Sequence, residues 1–262
     1  RANDSHKGDN GKILVIGGSK DYHGAPIYAG LAASYLSDLV YIASPKGTAK
    51  SIKSFSPDFI VYQTEKNHFV LDDVDYLKKI SENADSILLG VGIGREPETV
   101  QTIVEYIKNI SGKRVVIDAD GLFAIKDCLK DLRKNNVCIT PHYNEYKRLF
   151  DEPFTEENIK LNADKYGISI VCKGVVDLIS DGKRLLKNFT GNAGMTTGGT
   201  GDVLAGLITA FTNKGTILEA ACAGTFLNGI TGDITKEEMG MNFRSSDMIQ
   251  RIPKALKFCE QF

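Results

Sequence analysis

Residues 192–206 read NAGMTTGGTGDVLAG, and six glycines crowd between Gly191 and Gly206. Apolar residues recur after the glycines with helical spacing, so we predict a helix over residues 201–213. The first turn of a helix offers unpaired backbone N–H groups and a positive dipole end, which glycines leave accessible to an anion. The stretch therefore predicts an anion site in which the backbone of Gly199, Thr200 and Gly201 holds a transferring phosphoryl group.

Asp202 falls in the first turn of this predicted helix, where its carboxylate is placed to accept a proton from an attacking hydroxyl. The dipole predicts a low pKa for Asp202 and therefore no titration of this group above about pH 6. The alternative is that Thr200 or Asp202 is only a helix cap behind a glycine turn. The density of glycines favours the anion site.

Upstream, short β-branched apolar runs alternate with helix-like segments. We predict strands at residues 12–16, 39–43, 86–89, 114–117, 137–140 and 169–173, a hairpin at 177–187, and helices at 25–36, 98–109, 217–231 and 245–258. Strands that alternate with helices through short loops indicate an α/β fold with a mostly parallel central sheet and helices on both faces. No change in composition marks a linker, so we expect one domain over residues 1–262.

The predicted strands end in unusual residues, and these ends meet at one edge of a parallel sheet. They are Gly17 and Gly18, the GVGIG turn at 90–94, Asp118 and Asp120, Pro141 and His142, and Lys173 and Gly174. Ligands of open parallel sheets bind beyond the carboxyl ends of the strands, so we predict a small-molecule site there. The two aspartates either order magnesium or cap the following turn. The GVGIG turn lacks the GxGxxG spacing of a dinucleotide fold, and no GxxxxGK[ST] phosphate loop is present.

Composition excludes some classes of partner. The chain has 33 acidic and 32 basic residues, which argues against binding to nucleic acid through phosphate neutralisation. No apolar run approaches the roughly 18 residues of a membrane span, and no signal peptide is visible.

Five cysteines without a CxxC pair predict reduced thiols in a cytoplasmic protein. Because the chain begins at Arg1 rather than Met, we expect a trimmed or processed product.

An ordered set of motifs resembles the NAD(P)H-hydrate dehydratase family, a group of ribokinase-like proteins. The set comprises SHKGDNG at 5–11, IGGS at 16–19, GAP at 24–26, the 90–94 turn, DAD at 118–120, TPHxxE at 140–145, KG at 173–174, GNxGM at 191–195 and GTGD at 199–202. The resemblance implies repair of hydrated NADH and NADPH. The C6 hydroxyl is phosphorylated by ADP or ATP, with ADP favoured, and loss of phosphate restores the double bond.

The same resemblance implies roles for individual residues. A nucleotide would lie on Lys173, Gly174, Val175, Val176, Asp177 and Gly201. The hydrated substrate would contact Ala25, Gly92, Gly94, His142 and Asp202. Glu145 would orient water on Mg²⁺. The family also suggests a homo-oligomer such as a tetramer, and an epimerase domain in front of this one.

Two other functions compete with this interpretation. A kinase of a small alcohol, such as a hydroxymethylpyrimidine or hydroxyethylthiazole vitamin precursor, would use the same GTGD chemistry but stop at the phosphate ester. A non-catalytic nucleotide-binding module would need no acid at position 202. The SHKG, GGS and TPH motifs favour the dehydratase over the kinase, and Asp202 argues against the module.

Overall fold

The computed structural model describes residues 4–261; Arg1, where the expected domain begins, and position 262 lie outside the described residues. Nine strands form one sheet. They are β1 (Lys12–Ile16), β2 (Leu39–Ser44), β3 (Phe59–Gln63), β4 (Ser86–Leu89), β5 (Arg114–Ile117), β6 (Asn136–Ile139), β7 (Ser169–Cys172), β8 (Asp177–Ser180) and β9 (Leu185–Asn188). Their order is β3-β2-β1-β4-β5-β6-β7-β8-β9, in which all neighbours up to β7 are parallel and β8 and β9 are antiparallel.

Eleven α-helices occur within residues 4–261. They are α1 (Gly24–Ser34), α2 (Lys46–Phe55), α3 (Val74–Ser81), α4 (Pro97–Asn109), α5 (Asp120–Ala124), α6 (Tyr143–Phe150), α7 (Glu156–Tyr166), α8 (Thr200–Phe211), α9 (Ile217–Met239), α10 (Ser245–Ile249) and α11 (Ile252–Cys259). None of the helices in the described part of the chain combines the length and apolar content needed to cross a membrane.

The core lies on both faces of the sheet because successive strand residues point in opposite directions. In β1, Leu14 and Ile16 join a cluster with α3 and α4, whereas Ile13 and Val15 join one with α1 and α8. A third cluster packs α11 against α1, α8 and α9. The predicted α/β architecture with helices on both faces is confirmed.

Some element predictions were wrong. Strand β3 was missed because it is the edge of the sheet, and most of its side chains are only partly buried. Helices α2, α3, α5, α6 and α7 were missed as well. The helix predicted over residues 245–258 is two helices, because Pro253 fits only in the first turn of α11. The helix predicted to end near residue 231 continues to Met239 and stops at Gly240, whose φ is 76°.

Candidate active site

Lys173 and Asp118 form an ion pair at the carboxyl edge of the sheet. Asp118 follows β5 and Lys173 follows β7, and the lysine Nζ donates to Asp118 Oδ1 over 2.7 Å. The Asp118 side chain is 3% exposed, so its charge is compensated by the ammonium group rather than by water. Burial by itself lowers the pKa of Lys173, but nearby carboxylates, Asp118 foremost, outweigh it and raise that pKa, which keeps the lysine charged.

Asp118 and Asp120 point to different partners because the residue between them has an uncommon backbone conformation. Ala119 has a φ of 53°, which L-residues rarely adopt. Asp120 Oδ1 accepts from Arg95 Nε at 2.7 Å, and its Oδ2 accepts from the backbone of Gly94. Asp118 therefore binds Lys173, whereas Asp120 binds the turn that contains Gly94 and Arg95.

The N-terminus of α8 faces the ion pair. Gly199 precedes the helix with a φ of 99°, and Asp202 is its third residue. A Cβ built on Gly201 would lie 3.6 Å from Lys173 Nζ and 3.8 Å from Asp118 Oδ2. The free N–H groups of the first helical turn, an ammonium group and the Asp202 carboxylate thus converge in one small volume.

The pKa predicted for Asp202 was wrong in direction. Burial, followed by the negative charge of Asp118, raises the pKa of Asp202 to about 7, and Lys173 offsets only part of this rise. The helix dipole is a partial charge that cannot compensate for burial beside a second carboxylate. A carboxylate with this pKa is suited to accept a proton near neutral pH, as general-base chemistry requires.

His142 and Glu145 are joined at the start of α6. His142 Nδ1 accepts from the backbone of Asn144 at 3.1 Å, and Glu145 Oε2 accepts from the backbone of His142 at 2.8 Å. This arrangement is a reciprocal cap of the helix. His142 also forms a β-bridge with Lys173, and Glu145 Oε2 lies 3.9 Å from the lysine Nζ. Both residues are therefore at the site, with capping as an additional role.

A cavity of about 330 Å³ opens beside this cluster. Of the expected nucleotide residues, its lining includes Lys173, Gly174, Val175, Asp177 and Gly201, together with Thr200. Val176 is not part of the lining. Asp177 also closes the turn between β7 and β8, because its Oδ1 accepts from the backbone of Gly174.

Part of the cavity wall is formed by α9, a helix whose sequence did not predict a binding site. Thr225, Asn228 and Gly229 of α9 line the cavity. Their spacing of three and four residues places them on one face of the helix. The only sequence signal was this set of small and polar residues inside an otherwise apolar helix, and the same set fits ordinary helix packing.

Three of the residues expected to contact substrate, Ala25, Gly92 and Gly94, form a second group near Asp120. A Cβ built on Gly92 would lie 3.0 Å from Ala25 Cβ, so the α1 start and the turn after β4 touch closely. Gly94 is held by Asp120, which is itself one of the charges acting on Asp202. Ala25, Gly92 and Gly94 thus lie together, while His142 lies on the Lys173 side.

The SHKGDNG segment lies elsewhere. It precedes β1, and its backbone at Gly8 and Asn10 donates to Asp38, which precedes β2. Both positions are at the amino ends of their strands, opposite the edge that carries Lys173 and Asp202. The structure therefore separates this motif from the site.

Acidic side chains at the site do not form a metal cage. Within residues 4–261, no group of three or more His, Cys, Asp or Glu side chains is arranged to hold a metal ion. A magnesium ion in a nucleotide site, however, takes most of its ligands from phosphate and water. Glu145, with a carboxylate 14% exposed beside Lys173, has the hard oxygen donors that suit such a water-mediated role.

The fold and the anion site at α8 define a ribokinase-like protein. A crystal structure of a ribokinase-like superfamily protein from Enterococcus faecalis is 26% identical and superposes with a TM-score of 0.87, covering 98% of this chain and 90% of that one. The sequence profile of the NAD(P)H-hydrate dehydratase family matches residues 13–254. The chain belongs to that family.

Relatives of two lengths are similar to this chain. The bifunctional NAD(P)H-hydrate repair enzyme of Archaeoglobus fulgidus is 39% identical over 100% of this chain but only 54% of its own length. The ADP-dependent (S)-NAD(P)H-hydrate dehydratase of Cenarchaeum symbiosum is 36% identical over 98% of this chain and 92% of its own length. The chain thus spans about half the length of the bifunctional relatives.

Proposed function

We propose that this chain dehydrates (S)-NAD(P)H hydrate to NAD(P)H, using ADP or ATP to phosphorylate the C6 hydroxyl before phosphate is eliminated. One observation carries the proposal. The base Asp202, the cation Lys173 and the N-terminus of α8 surround Gly201, where a phosphoryl group and a hydroxyl must meet. Membership of the family supports the hydrated dinucleotide as the acceptor.

Phosphoryl transfer needs positioning and charge stabilisation more than covalent chemistry from the protein. The nucleotide lies in the cavity between the β7–β8 turn and α9, with its terminal phosphate at α8. Lys173 and the amides of Gly199, Thr200 and Gly201 stabilise the charge on the phosphoryl oxygens. Asp202 orients the C6 hydroxyl and accepts its proton as the oxygen–phosphorus bond forms and the nucleotide leaves.

The second half of the reaction breaks the bond between C6 and its oxygen. The electron pair leaves with phosphate, the ring nitrogen supplies electrons to C6, and loss of a proton from the neighbouring carbon restores the ring double bond. Ala25, Gly92, Gly94 and His142 hold the nicotinamide end of the substrate in this proposal. The departing phosphate accepts the proton lost from the ring carbon next to C6. Asp202, with a pKa near neutrality, releases the hydroxyl proton it took to solvent before the next turnover.

We further propose that the reaction uses Mg²⁺, held through water by Glu145 and directly by nucleotide phosphates. The ion would neutralise phosphate charge. The proposal also covers one catalytic domain over residues 1–262, a homo-oligomer such as a tetramer, and a cytoplasmic location.

The experiment supplies purified protein with the (S) epimer of hydrated NADH, Mg²⁺ and ADP, and follows the absorbance band of the reduced nicotinamide. Recovery of the band that requires nucleotide supports the proposal, with Asp202→Asn as the inactive control. A stable phosphate ester without recovery of the band would instead identify a kinase. Comparison of kcat/KM for ADP and ATP tests the donor: we expect ADP to be better, and equal or better rates with ATP would contradict that preference.

A further inference from the structure

The nucleotide cavity has two chemically different ends. At one end the lining is charged, through Lys173 beside Gly201 and through Asp177. The opposite end is neutral: there Gly229 packs on Thr190, and Gly191 packs on Gly229 and Met195. Phosphates require the charged end, so the neutral end is left for the uncharged part of a nucleotide.

In the described part of the chain, two asparagine side chains line the cavity. The Asn192 carboxamide already bonds Asp233 and Gly194, so Asn228 of α9 is the one to consider. It is 6% exposed and lines the cavity, and its Oδ1 has no hydrogen-bond partner among residues 4–261. One turn away, the Thr225 hydroxyl is satisfied by the carbonyl of Ala221. A buried carbonyl oxygen without a partner destabilises a protein unless something else donates to it. As placed, Oδ1 is itself inaccessible, so a group bound in the cavity reaches it only after the carboxamide rotates about its terminal torsion, and that rotation would supply the missing partner.

We propose that Asn228 recognises the base of the nucleotide and makes the enzyme selective for adenine. This inference rests on the proposed function for the identity of the nucleotide. A carboxamide offers one acceptor and two donors, and rotation about its terminal torsion presents either to the cavity. Adenine has the complementary pair in its exocyclic amino group and N7, which asparagine can bind at two points.

Neighbouring residues support a base rather than a sugar phosphate at this position. Met195 and Leu204 contribute apolar surface to the same cavity, and a flat base is the part of a nucleotide that such surface can cover. A purine with a 6-oxo group presents two acceptors on the edge where adenine presents a donor and an acceptor. Asn228 then loses one of two hydrogen bonds, which predicts discrimination between the two bases.

The test compares ADP with inosine diphosphate, which replaces the adenine amino group with an oxo group. Binding of each to purified protein is measured by calorimetry, and KM and kcat are measured for dehydration. Because one bidentate base contact corresponds to roughly 5- to 150-fold in affinity, we expect ADP to bind at least about tenfold more tightly than inosine diphosphate to the wild type. In Asn228→Ala we expect this ratio to fall below about threefold, with a rise in KM for ADP that is larger than any fall in kcat.

Two variants separate recognition from folding. Asn228→Leu retains the volume of the side chain without its hydrogen bonds and should lose base selectivity even if Asn228→Ala is poorly folded. Asn213, which follows α8, also has an Oδ1 without a partner in the described chain, and it does not line the cavity. Asn213→Ala should leave the ratio of ADP to inosine diphosphate affinity unchanged.

An unchanged ratio in both Asn228 variants would overturn the inference. So would a loss that appears for a deoxyribose analogue of ADP instead of for the base, because it would place Asn228 at the sugar. Because nucleotide binding is measured without turnover, the experiment distinguishes a failure of the base-recognition inference from a failure of the proposed function. Selective ADP binding without dehydration would contradict the proposed function alone, and dehydration with equal affinities for both nucleotides would contradict the inference alone.

Discussion

Lys173 Nζ lies 2.7 Å from Asp118 Oδ1, and this ion pair holds the flexible lysine side chain next to the N-terminus of α8. Lysine has four rotatable bonds and would otherwise sample solvent. The pair restricts it to the position where a transferring phosphoryl group develops charge. Asp118 thus positions Lys173 and, through its own charge, raises the pKa of Asp202.

Replacing Lys173 should affect catalysis and stability together. We expect Lys173→Met to lower kcat by about 10²–10³-fold, since removal of one donor to developing charge has this effect. It should also destabilise the protein by about 3–5 kcal/mol, because Asp118 is left buried without its partner. Steady-state kinetics and urea unfolding give the two values.

The double variant Asp118→Asn/Lys173→Met is the control. It removes both charges, so most of the lost stability should return while kcat stays low. A Lys173→Met variant that changed only the nucleotide KM would show that the lysine contributes equally before and during transfer.

The pH dependence of kcat/KM should reveal Asp202. Since its pKa is about 7 and the base must be ionised, the rate should rise with pH through neutrality and level off above about pH 8. Asp118→Asn should move the midpoint to lower pH, because it removes a charge that raises this pKa. Lys173→Met should move it to higher pH. Shifts in the same direction for both variants would contradict this assignment.

Asp202 should reduce stability at alkaline pH. Its pKa is higher in the folded protein, about 7, than in the unfolded chain, about 4, so the folded state binds the proton more tightly and stability falls as pH rises between these values. Asp202→Asn, neutral at every pH, should therefore be more stable than the wild type at pH 8, by up to about 4 kcal/mol, and by much less at pH 4. Melting temperatures at the two pH values measure this difference, and a gain that is independent of pH would contradict the raised pKa.

The glycine stretch supplies a matched pair of variants. Gly199 has a φ of 99°, and a Cβ there would lie 2.7 Å from the Tyr28 ring, whereas a Cβ at Gly198 meets nothing within 4 Å. We expect Gly199→Ala to destabilise the protein by about 1–3 kcal/mol and to impair nucleotide binding. Gly198→Ala should leave the melting temperature nearly unchanged. Equal effects on stability would mean that the conformation of Gly199 is not required.

The two roles of His142, as the cap of α6 and as the proposed substrate contact, can be tested separately. Asparagine is a good helix cap, so His142→Asn should keep the stability of α6 within about 0.5 kcal/mol of the wild type, while His142→Ala should lose about 1 kcal/mol. Both variants should raise KM for the hydrated substrate more than for ADP. If His142→Asn retained the wild-type KM for substrate, the cap would be the whole role of His142.

The sequence predicted six of the seven parallel strands because they are short apolar runs rich in β-branched residues, and β1, β4 and β5 have the predicted bounds. It predicted the Asp202 helix because glycines precede an apolar face. The sequence predicted that Asp118 and Lys173 lie at the same edge of the sheet. Their ion pair was not predictable, since 55 residues separate them and only the strand order β5-β6-β7 brings them into contact. The pKa of Asp202 was mispredicted for the same reason: its neighbours come from other strands.

The most direct test of the account follows the oxygen atom of the C6 hydroxyl. Hydrated NADH prepared with heavy oxygen at C6 is incubated with the protein, Mg²⁺ and ADP in ordinary water, and the released inorganic phosphate is analysed by mass spectrometry. Phosphorylation of the hydroxyl before elimination predicts that the heavy oxygen appears in phosphate, one atom for each NADH formed, and that Asp202→Asn suppresses both products. Unlabelled phosphate, with the heavy oxygen lost to water, would contradict the account, because the nucleotide would then be hydrolysed without phosphorylating the substrate.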